Sequence, residues 1–113
     1  MVEIWHNPRC TKSRQALAFL EEQGIDAEVV RYLDTPPTKK RLKEVIELLG
    51  GEAIALVRTK EAVFKELGLT KTSSAKVLID AMAEHPKLIE RPVVITKKGA
   101  RIGRPTEAIA EIL

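Results

Sequence analysis

Cysteine is almost absent from this sequence. Cys10 is the only one among 113 residues, so no disulfide can form within the chain and the fold cannot depend on one. A chain without a disulfide framework is typical of a reducing compartment. Any disulfide that Cys10 makes must therefore join it to another molecule.

Long apolar runs are absent as well. The longest contains five residues, as at 16–20, whereas a helix that crosses a bilayer needs about 20. No basic and then apolar leader comes first, because an alternating strand pattern starts at Val2. We expect a cytoplasmic protein with no secretory signal and no membrane-spanning segment.

Aromatic residues make up only 4% of the chain, which leaves few rings on which nucleic-acid bases could stack. The net charge is +3, but basic clusters such as residues 39–44 interleave with carboxylates, as on a solvated helix face. We therefore expect no nucleic-acid partner.

The spacing of apolar residues predicts an α/β protein, and the length fits one domain, residues 1–113. A strand over 2–6, a helix over 12–23 and a strand over 27–32 form a parallel βαβ unit. Further helical segments fill an insertion at about 38–85. They are predicted over residues 38–49, 54–57, 60–67 and 74–84.

The last part of the chain predicts a hairpin, with strands at 93–95 and 100–103, followed by a helix over 106–113. Thr106 would cap that helix or lie in its first turn, and Ile109, Ile112 and Leu113 would face inward. The whole order predicts a mixed four-stranded sheet flanked by helices, as in thioredoxin-like domains, with the helical insertion between the second and third strands.

Cys10 falls in the turn between the first strand and the first helix, where free N–H groups and the helix dipole stabilise an anion. Arg9, Lys12 and Arg14 add three cations nearby, and no carboxylate follows Cys10 before Glu21. Such surroundings lower a cysteine pKa from about 8.5 to roughly 3.5–7.5. A core cysteine would instead belong to an apolar stripe, so we predict a reactive thiolate.

Ser13 completes a Cys-x-x-Ser arrangement, in which a hydroxyl replaces the second thiol of a redox motif and could donate to the thiolate. A phosphatase-type loop would need an arginine six positions after the cysteine, where this chain has Ala16, so that type of loop is disfavoured. We expect Asn7 to hold the loop through hydrogen bonds from its side chain to the backbone. His6, at the end of a strand, is more often a structural residue than a cation that adjusts a thiolate.

Residues 6–14, His-Asn-Pro-Arg-Cys-Thr-Lys-Ser-Arg, resemble the signature loop of the ArsC family, the glutaredoxin-coupled arsenate reductases and their relatives. The resemblance implies one ArsC-like domain with a thioredoxin-like fold and covers nearly the whole chain. It continues through residues 32–37, 56–58, 65–69, 85–94 and 101–105.

The resemblance also implies roles for individual residues. Cys10 would attack arsenate or another small oxyanion, while Arg58, Arg91 and Arg104 hold the anion; from composition alone these arginines would be taken as solvated charges. Pro92 would be a cis-proline that faces the cysteine. The supporting residues would be Pro92, His6, Asn7, Ser13 and Arg14.

Glutathione, by the same resemblance, would be the co-substrate that supplies electrons, and glutaredoxin would clear the mixed disulfide. We expect no bound cofactor, no metal and a monomer. Two alternatives stay open: a monothiol glutaredoxin-like oxidoreductase, and a non-catalytic regulator that binds RNA polymerase. The regulators usually carry Cys-x-x-Cys, where this chain has Ser13.

Overall fold

Four short strands form one mixed sheet in the order β2-β1-β3-β4 in a computed structural model that describes residues 2–113. β1 pairs parallel with β2 and antiparallel with β3, and β3 pairs antiparallel with β4. This confirms the predicted mixed sheet. The strands are β1 Glu3–Trp5, β2 Glu28–Val30, β3 Val93–Thr96 and β4 Gly99–Ile102.

Four α-helices and three 3₁₀ segments complete the described part of the chain. None of the helices in residues 2–113 is long and apolar enough to cross a membrane. The α-helices are α1 Thr11–Glu22, α2 Lys39–Leu48, α3 Ala62–Glu66 and α4 Ala75–Glu84; the 3₁₀ segments are Ala53–Leu56, Pro86–Leu88 and Thr106–Ile112.

The chain divides into two compact units. The sheet unit contains the residues up to Thr35 together with Arg91–Leu113, and the helical unit is Pro36–Glu90. The predicted helical insertion, at about 38–85, lies within this unit, and its exact ends stay a prediction. Backbone hydrogen bonds tie the segment after α4 back to residues 56–58: Arg58 N–H to Leu88 O and Glu90 N–H to Leu56 O, both 2.7 Å.

The helical unit follows the predicted apolar stripes. Thr38 caps α2 by accepting a hydrogen bond from the Arg41 N–H at 3.1 Å, and Ser74 caps α4 through the Val77 N–H at 3.3 Å. Such caps satisfy N–H groups that have no partner within the helix. The buried stripes are Leu42, Val45 and Ile46 on α2, and Leu78, Ala81 and Met82 on α4.

One face of the sheet packs against α1 and the C-terminal segment. Ile4 and Val94 lie opposite each other on β1 and β3 and share a core with Ala16 and Leu20 of α1 and with Ile109 and Ile112. The inward positions predicted for Ile109 and Ile112 are confirmed, while Leu113 is partly buried.

The predicted C-terminal α-helix is instead a 3₁₀ helix, Thr106–Ile112. With three residues per turn, residues spaced by three share one face, which is the spacing of Ile109 and Ile112 in the core. Thr106 lies in the first turn, and Pro105, which has no side-chain cap to offer, precedes the helix.

Gly103 follows β4 at a point with no room for a side chain. A Cβ there would lie 2.9 Å from Cγ of Pro92, 3.1 Å from Cδ1 of Ile109 and 3.6 Å from Cβ of Ala16. The Gly103 N–H donates to Pro92 O at 2.9 Å. The missing side chain thus lets the residues after β4 approach those before β3.

We expect Gly103→Ala to lower the free energy of unfolding by about 1–3 kcal/mol, because the methyl group overpacks a buried contact. Thermal or denaturant unfolding measures this. Ile109→Val removes the Cδ1 atom, so the double variant should cost less than the sum of the two single changes. Unchanged stability in Gly103→Ala, or strictly additive effects, would contradict the contact.

Candidate active site

Cys10 is the residue immediately before α1, and its extended backbone places it at the helix N-terminus. Its N–H donates to Asn7 O at 3.0 Å, and its carbonyl oxygen accepts from the Arg14 N–H at 3.0 Å. The predicted position between the first strand and the first helix is confirmed. The thiol therefore lies where helix N–H groups face an anion.

Side chains of the loop hold its backbone in place. Asn7 Oδ1 accepts from the Arg9 N–H at 3.0 Å, which is the kind of side-chain to backbone bond predicted for this asparagine. The Arg14 guanidinium donates to Pro8 O at 2.8 Å and to Thr11 Oγ1 at 3.2 Å. Arg14 therefore clamps the loop that carries Cys10.

Ser13 and His6 form a buried polar pair. Ser13 is 0% exposed and His6 7% exposed, and Ser13 Oγ lies 2.6 Å from His6 Nδ1 and accepts from the Asn7 N–H at 2.9 Å. The predicted donation from the Ser13 hydroxyl to the thiolate is not seen, because the partners of Ser13 Oγ among residues 2–113 are His6 Nδ1 and the Asn7 N–H.

Burial and nearby charges determine the state of His6. Partial burial lowers the pKa of His6, the guanidinium charges of Arg31 and Arg14 lower it further, and hydrogen bonding with Ser13 opposes them. The imidazole is therefore neutral at neutral pH, which favours the structural role over that of a cation beside the thiolate.

Sheet topology brings two distant arginines to Cys10. Trp5 at the end of β1 pairs with Val93 at the start of β3, and Val93 pairs with Ile102 at the end of β4. The chain leaving β1, the residue before Pro92 and the residue after Gly103 therefore meet at one end of the sheet. These three segments carry Cys10, Arg91 and Arg104.

Arg91 and Arg104 place their guanidinium groups at this end of the sheet. Arg104 Nη2 lies 3.7 Å from the Cys10 sulfur, and its Nε donates to Arg91 O at 2.9 Å. Arg91 Nε is buried with no hydrogen-bond partner among residues 2–113. The Arg91–Pro92 bond is cis, as the resemblance implies for Pro92, and so is Arg104–Pro105.

Opposing effects act on the pKa of Cys10. Burial raises this pKa, but the Ser13 N–H, the charge of Arg91, the Lys12 N–H and a hydrogen bond from Arg91 together lower it below the ordinary thiol value. No cap hydrogen bond of regular geometry reaches the sulfur from the described residues of α1, so these N–H groups act through their dipoles. At a given pH, a larger fraction of Cys10 is therefore thiolate than for an ordinary cysteine.

The source of this stabilisation is in part the expected one. The N–H groups at the start of α1 lower the pKa as predicted, but the cation that lowers it is Arg91 and not Arg9, Lys12 or Arg14. Arg14 directs its guanidinium at Pro8 and Thr11 instead. Cys10 is also only 9% exposed, more buried than its polar neighbours in sequence suggest.

Arg58 lies in the helical unit, where carboxylates hold its guanidinium. Nη1 is 3.0 Å from Glu61 Oε2, and Nε is 4.0 Å from Glu90 Oε1. Its role in anion binding stays a prediction.

The ArsC family model matches residues 5–112 of this chain. The chain belongs to the ArsC family. An arsenate reductase of Neisseria meningitidis serogroup A is 48% identical, with 99% of this chain and 97% of that protein covered. An uncharacterized protein of Escherichia coli is also 48% identical, with 99% and 96% covered.

A solved structure supports the same assignment. The arsenate reductase from Vibrio cholerae matches with a TM-score of 0.94 and 51% identity, covering 99% of this chain and 97% of that one. The predicted thioredoxin-like fold is confirmed for this ArsC family member.

The burial of Ser13 and the close packing at Gly103 were missed in the sequence, and a signal exists for the first. Ser13, Ala16 and Leu20 recur at i, i+3 and i+7, so a helical projection would have placed Ser13 on the buried face. Gly103 stands directly before Arg104 and Pro105, but nothing local in the sequence shows that Pro92 occupies the space beside it.

We expect Arg91→Gln to raise the pKa of Cys10, because it removes a cation and a hydrogen-bond donor that favour the thiolate. The pH dependence of Cys10 alkylation by iodoacetamide measures this. Arg101→Gln is the matched control, since Arg101 lies on β4 and pairs with Glu111 at 3.1 Å. An alkylation midpoint that does not move in Arg91→Gln would exclude this role.

We expect Ser13→Ala to lower the free energy of unfolding by about 1–3 kcal/mol, because buried polar groups of His6 and Asn7 lose a partner. The thiol pKa should change little, since Ser13 acts on Cys10 through its N–H. Denaturant unfolding and the alkylation profile measure the two effects. Thr35→Ala is the control, because Thr35 is exposed and its side chain has no hydrogen bond within residues 2–113. An unchanged stability together with a raised thiol pKa would restore the hydroxyl as the thiolate donor.

Proposed function

We propose that this protein is an arsenate reductase in which the Cys10 thiolate attacks arsenate. The observation that carries the proposal is the cationic end of the sheet, where Arg104 contacts the sulfur at 3.7 Å and Arg91 Nε is buried with no hydrogen-bond partner in the described part of the chain. The names of the relatives in Neisseria and Vibrio support the choice of arsenate among oxyanions.

Arg91 and Arg104 suit a tetrahedral oxyanion. Guanidinium groups offer several N–H donors in a fixed plane, and hydrogen bonds to an anion are stronger than those between neutral groups. The free Nε–H of Arg91 would donate to an arsenate oxygen and satisfy a polar atom that is otherwise costly to bury. The resemblance adds Arg58 to the anion ligands, and Arg58→Gln tests that addition.

The chemistry needs an external thiol, because Cys10 has no partner cysteine in the sequence. The Cys10 sulfur would form a bond to arsenic as an oxygen of arsenate leaves as water. Attack of glutathione on the Cys10 sulfur would break the S–As bond, leave its electron pair on arsenic as arsenite departs, and form a Cys10–glutathione disulfide. Glutaredoxin would then reduce this mixed disulfide. Overall, arsenate and thiols give arsenite, a disulfide and water, so electrons and atoms balance.

The lowering of the Cys10 pKa supports this role, because the thiolate and not the thiol is the nucleophile. Attack on an anion nevertheless brings like charges together. The arginines would offset that repulsion in the substrate and the transition state, as preorganised donors do in other anion-stabilising sites. We propose that the protein works as a monomer in the cytoplasm, with no bound cofactor.

Arsenate-dependent NADPH oxidation, in the presence of glutathione, glutaredoxin and glutathione reductase, tests the proposal. We expect the native protein to show this rate and Cys10→Ser to lose it completely, because no other thiol is present in the chain. Arg91→Gln should lose most of the rate, whereas Arg101→Gln should keep it.

A native rate equal to that of Cys10→Ser would contradict the proposal. Faster removal of glutathione from glutathionylated proteins than reduction of arsenate would favour the monothiol glutaredoxin-like alternative. Capture of RNA polymerase without either activity would favour the regulator.

A further inference from the structure

Two exposed cations flank Cys10 and have no partner within the described chain. Arg9 directly precedes the cysteine, and Lys12 lies two residues after it in the first turn of α1. The contact made by Arg9 is through its backbone N–H, to Asn7 Oδ1. Neither side chain forms a hydrogen bond or an ion pair with any of residues 2–113.

Most other cations of the sheet unit have hydrogen-bond or ion-pair partners. Arg31 pairs with Asp34, Arg101 pairs with Glu111, and Lys98 donates to Leu113 O. Within the described residues of that unit, the cations whose side chains lack a contact are Arg9, Lys12 and Lys97. Two of these three stand beside the nucleophile, while Lys97 lies in the β3–β4 turn, at the opposite end of β3 from Pro92.

Buried Arg91 suits a different ligand from exposed Arg9 and Lys12. Arg91 Nε is buried, so it fits a small oxyanion that enters beside the sulfur. Arg9 and Lys12 are exposed in water and do not contribute their side-chain charges to the lowered pKa of Cys10. They suit the charged ends of a longer molecule whose reactive atom reaches Cys10.

Glutathione has this form, because it carries a carboxylate on each side of its sulfur. We propose that Arg9 and Lys12 bind the two carboxylates of glutathione, one on the loop side of Cys10 and the other on the helix side, and so make Cys10 selective for a peptide thiol with acidic ends. This inference rests on the proposed function for its choice of thiol.

Reaction with glutathione disulfide tests the inference without arsenate. The Cys10 thiolate attacks one sulfur of the reagent, the reagent's S–S bond breaks, and a Cys10–glutathione disulfide forms while the second glutathione leaves as a thiolate. Bis(2-hydroxyethyl) disulfide undergoes the same exchange without charged ends. The ratio of the two rate constants, each taken on its high-pH plateau, isolates recognition from the thiol pKa.

We expect the R9Q/K12Q double variant to react about fivefold more slowly with glutathione disulfide, since exposed charge pairs are individually weak. Its rate with the uncharged disulfide should stay the same. The matched control, Lys97→Gln, removes an equally exposed and unpaired lysine and should change neither rate. The charge-reversed R9E/K12E variant should prefer cystamine, whose ends are cationic.

Three results would overturn the inference. Equal loss of rate with both disulfides would mean that Arg9 and Lys12 support the loop. An equal effect of Lys97→Gln would mean that only the overall charge matters. Normal reaction with glutathione disulfide, but slower reduction of the mixed disulfide by glutaredoxin, would assign the cations to a protein partner. Because the exchange with glutathione disulfide uses no arsenate, this inference can fail in a protein that reduces arsenate, and it can hold in one that does not.

Discussion

The site depends on the pairing of β1 with β3. Because these central strands are antiparallel and Trp5 lies opposite Val93, the loop that leaves β1 and the segment that enters β3 must lie at the same end of the sheet. The antiparallel β4 returns the chain to that end. Residues separated by 94 positions, Cys10 and Arg104, thereby come within 3.7 Å of each other.

Electrostatics and packing have separate roles around Cys10. The Ser13–His6 pair and the Arg14 clamp hold the backbone of the loop, and their side-chain hydrogen bonds go to groups other than the sulfur. The thiolate is stabilised by helix N–H groups and Arg91 against the cost of burial. A charge close to the sulfur in sequence is therefore less important than one that the sheet brings to it.

Local patterns in the sequence predicted most of the fold, because apolar periodicity and caps act over a few residues. The stripes of α2 and α4, the hairpin and the turn that carries Cys10 were all expected. The backbone hydrogen bonds of Arg58 and Glu90 to residues far along the chain lie outside such local patterns. The hydrogen-bond partners of the Ser13 hydroxyl and the close packing at Gly103 also depend on long-range contacts, which periodicity does not describe.

The central claim is that Cys10, Arg91 and Arg104 form one anion site, and protection of Cys10 from alkylation tests it most directly. Iodoacetamide is added at fixed pH and ionic strength, with arsenate, with unreactive sulfate, or with chloride. We expect arsenate and sulfate to slow alkylation in a saturable manner and chloride to have no such effect. Arg91→Gln should lose the protection, while Arg101→Gln should keep it. Equal alkylation rates in all three salts would contradict the account.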